Sequence, residues 1–206
     1  MSGSDEGQDM DRKLFVFDVG GVVICYTPIL QNLCIKYSLD PAKIREDWAA
    51  YSKPLMDGYI GTDVMYRMME NKYGIDLSND DFMISCYHPE INQPVREAVL
   101  ALRAAGHRVV TGSNTYAGHW DYCKAMNPSP LDVFDKLYAS HEMHFSKPDP
   151  EFFEFILKEE GFGAEDSVFI DDSAGNLETA SALGMKTFNY LQNDDEFRFF
   201  LAPYLR

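Results

Sequence analysis

Three short apolar runs, each breaking off at small or polar residues, constrain this chain more than any other feature. They occupy residues 14–23 (LFVFDVGGVV), 109–115 (VVTGSNT) and 168–176 (VFIDDSAGN). A continuous apolar run, rather than a strict alternation, reads as a strand buried on both faces, as in a parallel sheet. Such strands deliver side chains to a site at their carboxyl ends. The side chains delivered are Asp18, Ser113, Asp171 and Asp172, and a fourth segment, SKPDP at 146–150, adds Lys147. Three carboxylates, a hydroxyl and an ammonium at neighbouring strand ends suit Mg²⁺-assisted phosphoryl transfer.

The spacing between the runs predicts the organisation. Eighty-five residues separate the first run from the second, too many for one strand-to-helix crossover. Within them Ile29, Leu30, Leu33, Cys34 and Tyr37 share one helical face, as do Val64, Met65, Met68, Met69 and Tyr73 behind Thr62 or Asp63 as N-cap. Residues 41–51 and 79–86 read as two shorter helices. After Pro94 the pattern alternates: helix 95–105 closed by Gly106, strand 108–111, helix 116–126, a short strand at 136–139, helix 150–160 closed by Gly161, strand 167–170, a helix to Leu183, and strand 186–189. The predicted fold is α/β, a Rossmann-like doubly wound parallel sheet with an inserted small helical cap. The core is expected at 10–26 and 93–206, and the cap at 27–92.

Charge and cysteine usage exclude several classes. A formal charge of −15 without any Lys/Arg cluster opposes nucleic-acid binding. The four cysteines form no CxxC pair, and the polar, acidic leader 1–11 does not read as a secretory signal, so reduced thiols and a cytoplasmic location are expected. That leader reads as a disordered tail. No apolar run approaches the ~20 residues of a membrane span, so no membrane partner is expected.

The order of the four motifs resembles the haloacid dehalogenase-like hydrolase superfamily. The phrases FDVGGV, SNTYAGHW, KPDPEFF and IDDSAGN are most similar to its branch of sugar-phosphate phosphatases, such as α-glucose-1-phosphate phosphatase. The resemblance runs from about residue 13 to about residue 190. It implies a phosphatase acting on small phosphate esters, sugar phosphates above all, through an aspartyl-phosphate. It also implies that 27–92 is a mobile cap whose glycine-bearing loop, 56–62, helps to read the substrate.

The resemblance assigns roles residue by residue. Asp18 is the nucleophile. Ser113 and Asn114, at a helix start, hold phosphate oxygens, Asn114 chiefly through its backbone. Lys147 neutralises both Asp18 and the transferring phosphoryl group. Asp18, the carbonyl of Gly20, Asp171 and Asp172 supply oxygens to Mg²⁺, and which of the last two ligates directly stays open. Asn176 orients their loop. His119, titrating near neutrality, can contact substrate or relay a proton.

Gly20 departs from the pattern, because most phosphatases of the superfamily place an acid–base Asp there. General acid–base help is worth ~10²–10⁴ in rate, so the alternative is a weak or inactive phosphate-binding protein. A haloacid dehalogenase is disfavoured, since the DxYGT phrase of that branch is absent. A phosphorylatable receiver is rejected because its acidic pair comes early in the chain, and here the pair comes last.

Overall fold

A computed structural model describes residues 12–205; the leader 1–11 lies outside them. The sheet contains β1 (Leu14–Phe17), β2 (Arg108–Thr111), β3 (Ser167–Asp171) and β4 (Lys186–Asn189), all parallel, in the order β2-β1-β3-β4. Every residue of β1 is buried. Its side chains alternate between two apolar layers, which is why the run shows no polar alternation. Phe15 and Phe17 join the layer containing Val99, Leu102 and Phe197, whereas Leu14 and Val16 join the one containing Phe152, Ile156 and Phe169.

Those layers are built by helices on either face. On one side lie α5 (Gln93–Ala104) and α10 (Asp194–Leu201), and on the other α8 (Pro150–Glu160) and α9 (Ala174–Ala182). Val95, Val99 and Leu102 form one buried stripe of α5. Gly161, at φ +72°, closes α8 in a left-handed conformation that a side chain would strain. The α10 helix was not expected from sequence. Asn193 caps it by accepting from the Glu196 N–H, and Phe197 and Leu201, four apart, bury its inner face.

The expected strand at 136–139 is a broken one. It pairs with β2 and the residues just after it through the isolated bridges Val110–Lys136 and Ser113–Ala139. Between them the Tyr138 N–H donates to the Thr111 hydroxyl at 2.9 Å, a side-chain bond standing where a ladder bond would be.

Between β1 and α5 lie four helices, α1 (Ile29–Tyr37), α2 (Pro41–Met56), α3 (Thr62–Tyr73) and α4 (Phe82–Ser85). No described residue of 27–92 adds a strand to the sheet; one isolated bridge joins Ile24 to Ile91. These helices share their own buried cluster, including Leu33, Ile44, Leu55, Met65, Met69 and Phe82. Burial of each such side chain stabilises by roughly 1.5–3 kcal/mol. Expected boundaries shift here. The α2 helix runs on to Met56 through Pro54, and Leu55 is buried in its last turn. Gly61, rather than Thr62 or Asp63, occupies the N-cap of α3. Among the described residues no helix is long and apolar enough to cross a membrane.

Candidate active site

The chain continues from β1 to β2 on one side and to β3 on the other, so the strand order reverses at β1. The crevice outside the carboxyl ends of strands at such a point is where α/β sheets bind ligands. Asp18 follows β1 directly, its N–H donating to the Ile170 carbonyl at 2.9 Å. Asp171 ends β3, Asp172 follows it, and Ser113 stands two residues after β2.

Lys147 joins two of these strand ends. Its Nζ lies 2.7 Å from Asp18 Oδ1 and 2.7 Å from Asp171 Oδ2, with the lysine only 4% exposed. Burial alone would lower its pKa, but the two carboxylates outweigh that and hold it above the usual lysine range. Burial pushes Asp18 up to about 7, with Lys147 opposing and Asp171 reinforcing the shift. A divalent cation beside the same carboxylate would act in the opposite direction and favour its ionised form.

The acidic pair divides its labour. Asp171 is fully buried and held on both oxygens: Oδ2 by Lys147, Oδ1 by the Ser173 N–H at 2.7 Å, and both by the Asn176 amide at 3.0–3.1 Å. Asp172 is exposed, and no Lys or Arg among the described residues forms an ion pair with it. Asp18, Asp171 and Asp172 each offer a carboxylate oxygen within 4.8 Å of one another. This set of hard oxygens fits Mg²⁺. Gly21 makes room for it. At φ +80°, a Cβ there would lie 2.2 Å from Asp172 Oδ2, a constraint that the sequence reading missed by attending only to Gly20. Gly20 itself has open space around a Cβ and no left-handed φ.

Two expected residues take other parts. The α6 helix (Ala117–Ala125) begins after Tyr116, so Ser113 and Asn114 precede it by a loop instead of opening it. The Ser140 hydroxyl holds that loop by bonding the Thr115 N–H and carbonyl, each at 3.0 Å. Asn114 acts through its side chain: Nδ2 donates to the Lys147 carbonyl and Oδ1 accepts from the Lys147 N–H, both at 2.8 Å. Ser113 is buried and lines the same cavity as Asp18.

His119, on α6, also lines that cavity, but it does not titrate near neutrality. Burial pushes its pKa down to about 4. The ring stacks on Tyr87 at 3.9 Å, and its Nε2 lies 2.7 Å from the Met83 carbonyl, an acceptor that fixes the proton on that nitrogen. A neutral imidazole bound this way keeps Nδ1 as an acceptor but carries no extra proton to donate at pH 7. The loop 56–62 is also displaced from the expected place. Residues 58–62 line a second cavity, with Tyr116, Ala117 and His141, and none of 56–62 lines the cavity beside Asp18.

The family model for haloacid dehalogenase-like hydrolases matches residues 12–184. The chain belongs to that family of hydrolases. It is 27% identical to the sesquiterpene phosphatase astK of Aspergillus oryzae, over 84% of this chain and 87% of that protein. It is 26% identical to D-ribitol-5-phosphate phosphatase of Bacteroides thetaiotaomicron, over 85% and 90%. A solved HAD family enzyme from Bacteroides thetaiotaomicron, in complex with magnesium and inorganic phosphate, superimposes with a TM-score of 0.71 at 26% identity, covering 86% of this chain and 93% of that one. A hydrolase of the phosphatase kind is the class that fold and relatives define.

Proposed function

We propose that this chain is a Mg²⁺-dependent phosphomonoester phosphatase working through an aspartyl-phosphate on Asp18. The observation that carries the reading is the buried Lys147 ammonium, 2.7 Å from both Asp18 and Asp171. It places a fixed positive charge beside a nucleophilic carboxylate where phosphoryl charge would develop. Ser113 supplies a hydroxyl to the phosphate, and Asn114 keeps Lys147 in place. Asp18, Asp172 and the Gly20 carbonyl would hold Mg²⁺, with Asp171 behind them as the anchor of Lys147. Bound there, the cation would offset the charge repulsion between carboxylate and phosphate. Residues 27–92 form the cap over this site, and 10–26 with 93–206 the core.

In the first step an Asp18 oxygen forms a bond to phosphorus while the bond from phosphorus to the ester oxygen breaks. The leaving alkoxide takes its proton from solvent, because residue 20 carries no acid. Water then attacks the aspartyl-phosphate, releasing inorganic phosphate and restoring the Asp18 carboxylate. The substrate is a small phosphorylated metabolite. Sugar phosphates are the class the motifs resemble, and the named relatives include both a polyol-phosphate and a sesquiterpene phosphatase. Phosphate binding without turnover is the second reading, favoured by Gly20 alone.

An assay with p-nitrophenyl phosphate and Mg²⁺ separates the two. Turnover is expected in the wild type, and Asp18→Asn should lower kcat by at least about 10²-fold with the thermal midpoint little changed. Absence of turnover in the wild type would leave only the binding reading. Retention of more than about a tenth of the rate in the variant would exclude Asp18 as nucleophile.

A further inference from the structure

The cavity that opens beside Asp18 has a volume of about 320 Å³, near the lower end of the ~300–1,000 Å³ common for ligand pockets. Its phosphate end is polar, with Asp18, Ser113 and Asp172. Its remaining wall is formed largely by Ile24, Ile29, Tyr87, Tyr116, Trp120 and Cys123.

Many of the polar groups in that wall already have partners within the protein, although the hydroxyls of Tyr26 and Tyr116 have none among the described residues. The Asn114 amide is held by the Lys147 backbone, and the Thr115 N–H and carbonyl by the Ser140 hydroxyl. His119 Nε2 lies on the Met83 carbonyl, the Tyr87 hydroxyl is 3.2 Å from Cys123 Sγ, and the Thr27 hydroxyl donates to the His88 carbonyl. Trp120 Nε1 is a buried donor without an acceptor in the protein. A polyol entering this cavity would surrender several hydroxyls from water to a wall whose unpartnered side-chain N–H and O–H groups are the Trp120 Nε1–H and the Tyr26 and Tyr116 hydroxyls. None of the lining residues is Lys or Arg, so a second phosphate finds no counter-charge away from the reacting end.

From this wall we infer that the substrate is the monophosphate ester of a largely hydrocarbon alcohol, and neither a sugar phosphate nor a diphosphate. The inference rests on the proposed phosphatase reaction and adds the substrate class to it. The hydrolysis is the one already described: the phosphoryl group passes to Asp18 and then to water, and the apolar alcohol leaves.

The test compares n-decyl phosphate with D-ribitol 5-phosphate, both esters of primary alcohols, so that leaving-group chemistry is matched. The expected result is a kcat/KM for the decyl ester higher by about tenfold or more. Ile29→Asn, a change at a half-buried wall position, should shrink that ratio. An equal or reversed wild-type ratio, with p-nitrophenyl phosphate still turned over, would overturn the inference and leave the phosphatase reading standing. If p-nitrophenyl phosphate is not turned over, the phosphatase reading falls instead. Calorimetric titration with the free alcohols then tests the wall by itself. Saturable binding of n-decanol without binding of ribitol supports it, and ribitol binding as tight as decanol overturns it.

Discussion

The side-chain amide of Asn114 brackets the backbone of Lys147, accepting from its N–H and donating to its carbonyl at 2.8 Å each. The loop after β2 thereby holds the segment that presents the ammonium to Asp18. Two hydrogen bonds at about 0.5–1.5 kcal/mol each are at stake. Asn114→Ala should lower stability by about 1–3 kcal/mol and kcat by about tenfold. Chemical denaturation and steady-state kinetics check the two effects. An unchanged kcat in a folded variant would show that Lys147 keeps its place without the bracket.

Metal dependence should follow the geometry of Asp172. Chelation is expected to remove activity and added Mg²⁺ to restore it. Ca²⁺ should inhibit, because it accepts more ligands at longer distances and would disturb in-line geometry. Gly21→Ala places a Cβ 2.2 Å from Asp172 Oδ2 in a backbone conformation that disfavours side chains. The Mg²⁺ concentration for half-maximal activity should therefore rise by about tenfold or more. Full activity after chelation would remove the acidic cluster from the mechanism.

At position 20 the open space and ordinary φ permit an introduced carboxyl. Without an acid there, log kcat of the wild type should fall steeply with leaving-group pKa. Gly20→Asp should flatten that dependence, raising rates for poor leaving groups within the ~10²–10⁴ range of general acid help. A flat wild-type plot, with chemistry rate-limiting, would mean that another group donates the proton.

For His119 the sign of the pH effect is set by its depressed pKa. The unfolded state binds a proton near 6.5 and the folded state only near 4. The stabilisation is present above about 6.5. It fades between the two values, and by about pH 4 a loss of roughly 3 kcal/mol is expected. His119→Gln keeps a donor for the Met83 carbonyl and should make denaturation midpoints less pH-dependent in that window. Its kcat profile between pH 6 and 8 should match that of the wild type. A profile that loses a limb near neutrality would restore His119 as a proton carrier.

The parallel strands, the helices α5, α8 and α9, and the candidate site residues Asp18, Ser113, Lys147, Asp171 and Asp172 were legible in the chain itself. Unbroken apolar runs report burial on both faces, and the polar residues that end them mark where β1, β2 and β3 deliver their side chains. The division of labour between Asp171 and Asp172 was not legible. It arises because Lys147, Ser173 and Asn176 converge on one carboxylate and leave its neighbour exposed. Local sequence also did not show the partners of His119 and Asn114, since the Met83 carbonyl lies 36 residues from one and the Lys147 backbone 33 from the other. Periodicity and motif order depend on neighbours along the chain, so sequence alone determined most of the elements and pointed to the candidate reacting groups. Partners, protonation and the apolar character of the cavity wall depend on neighbours in space, and only the tertiary structure decided them.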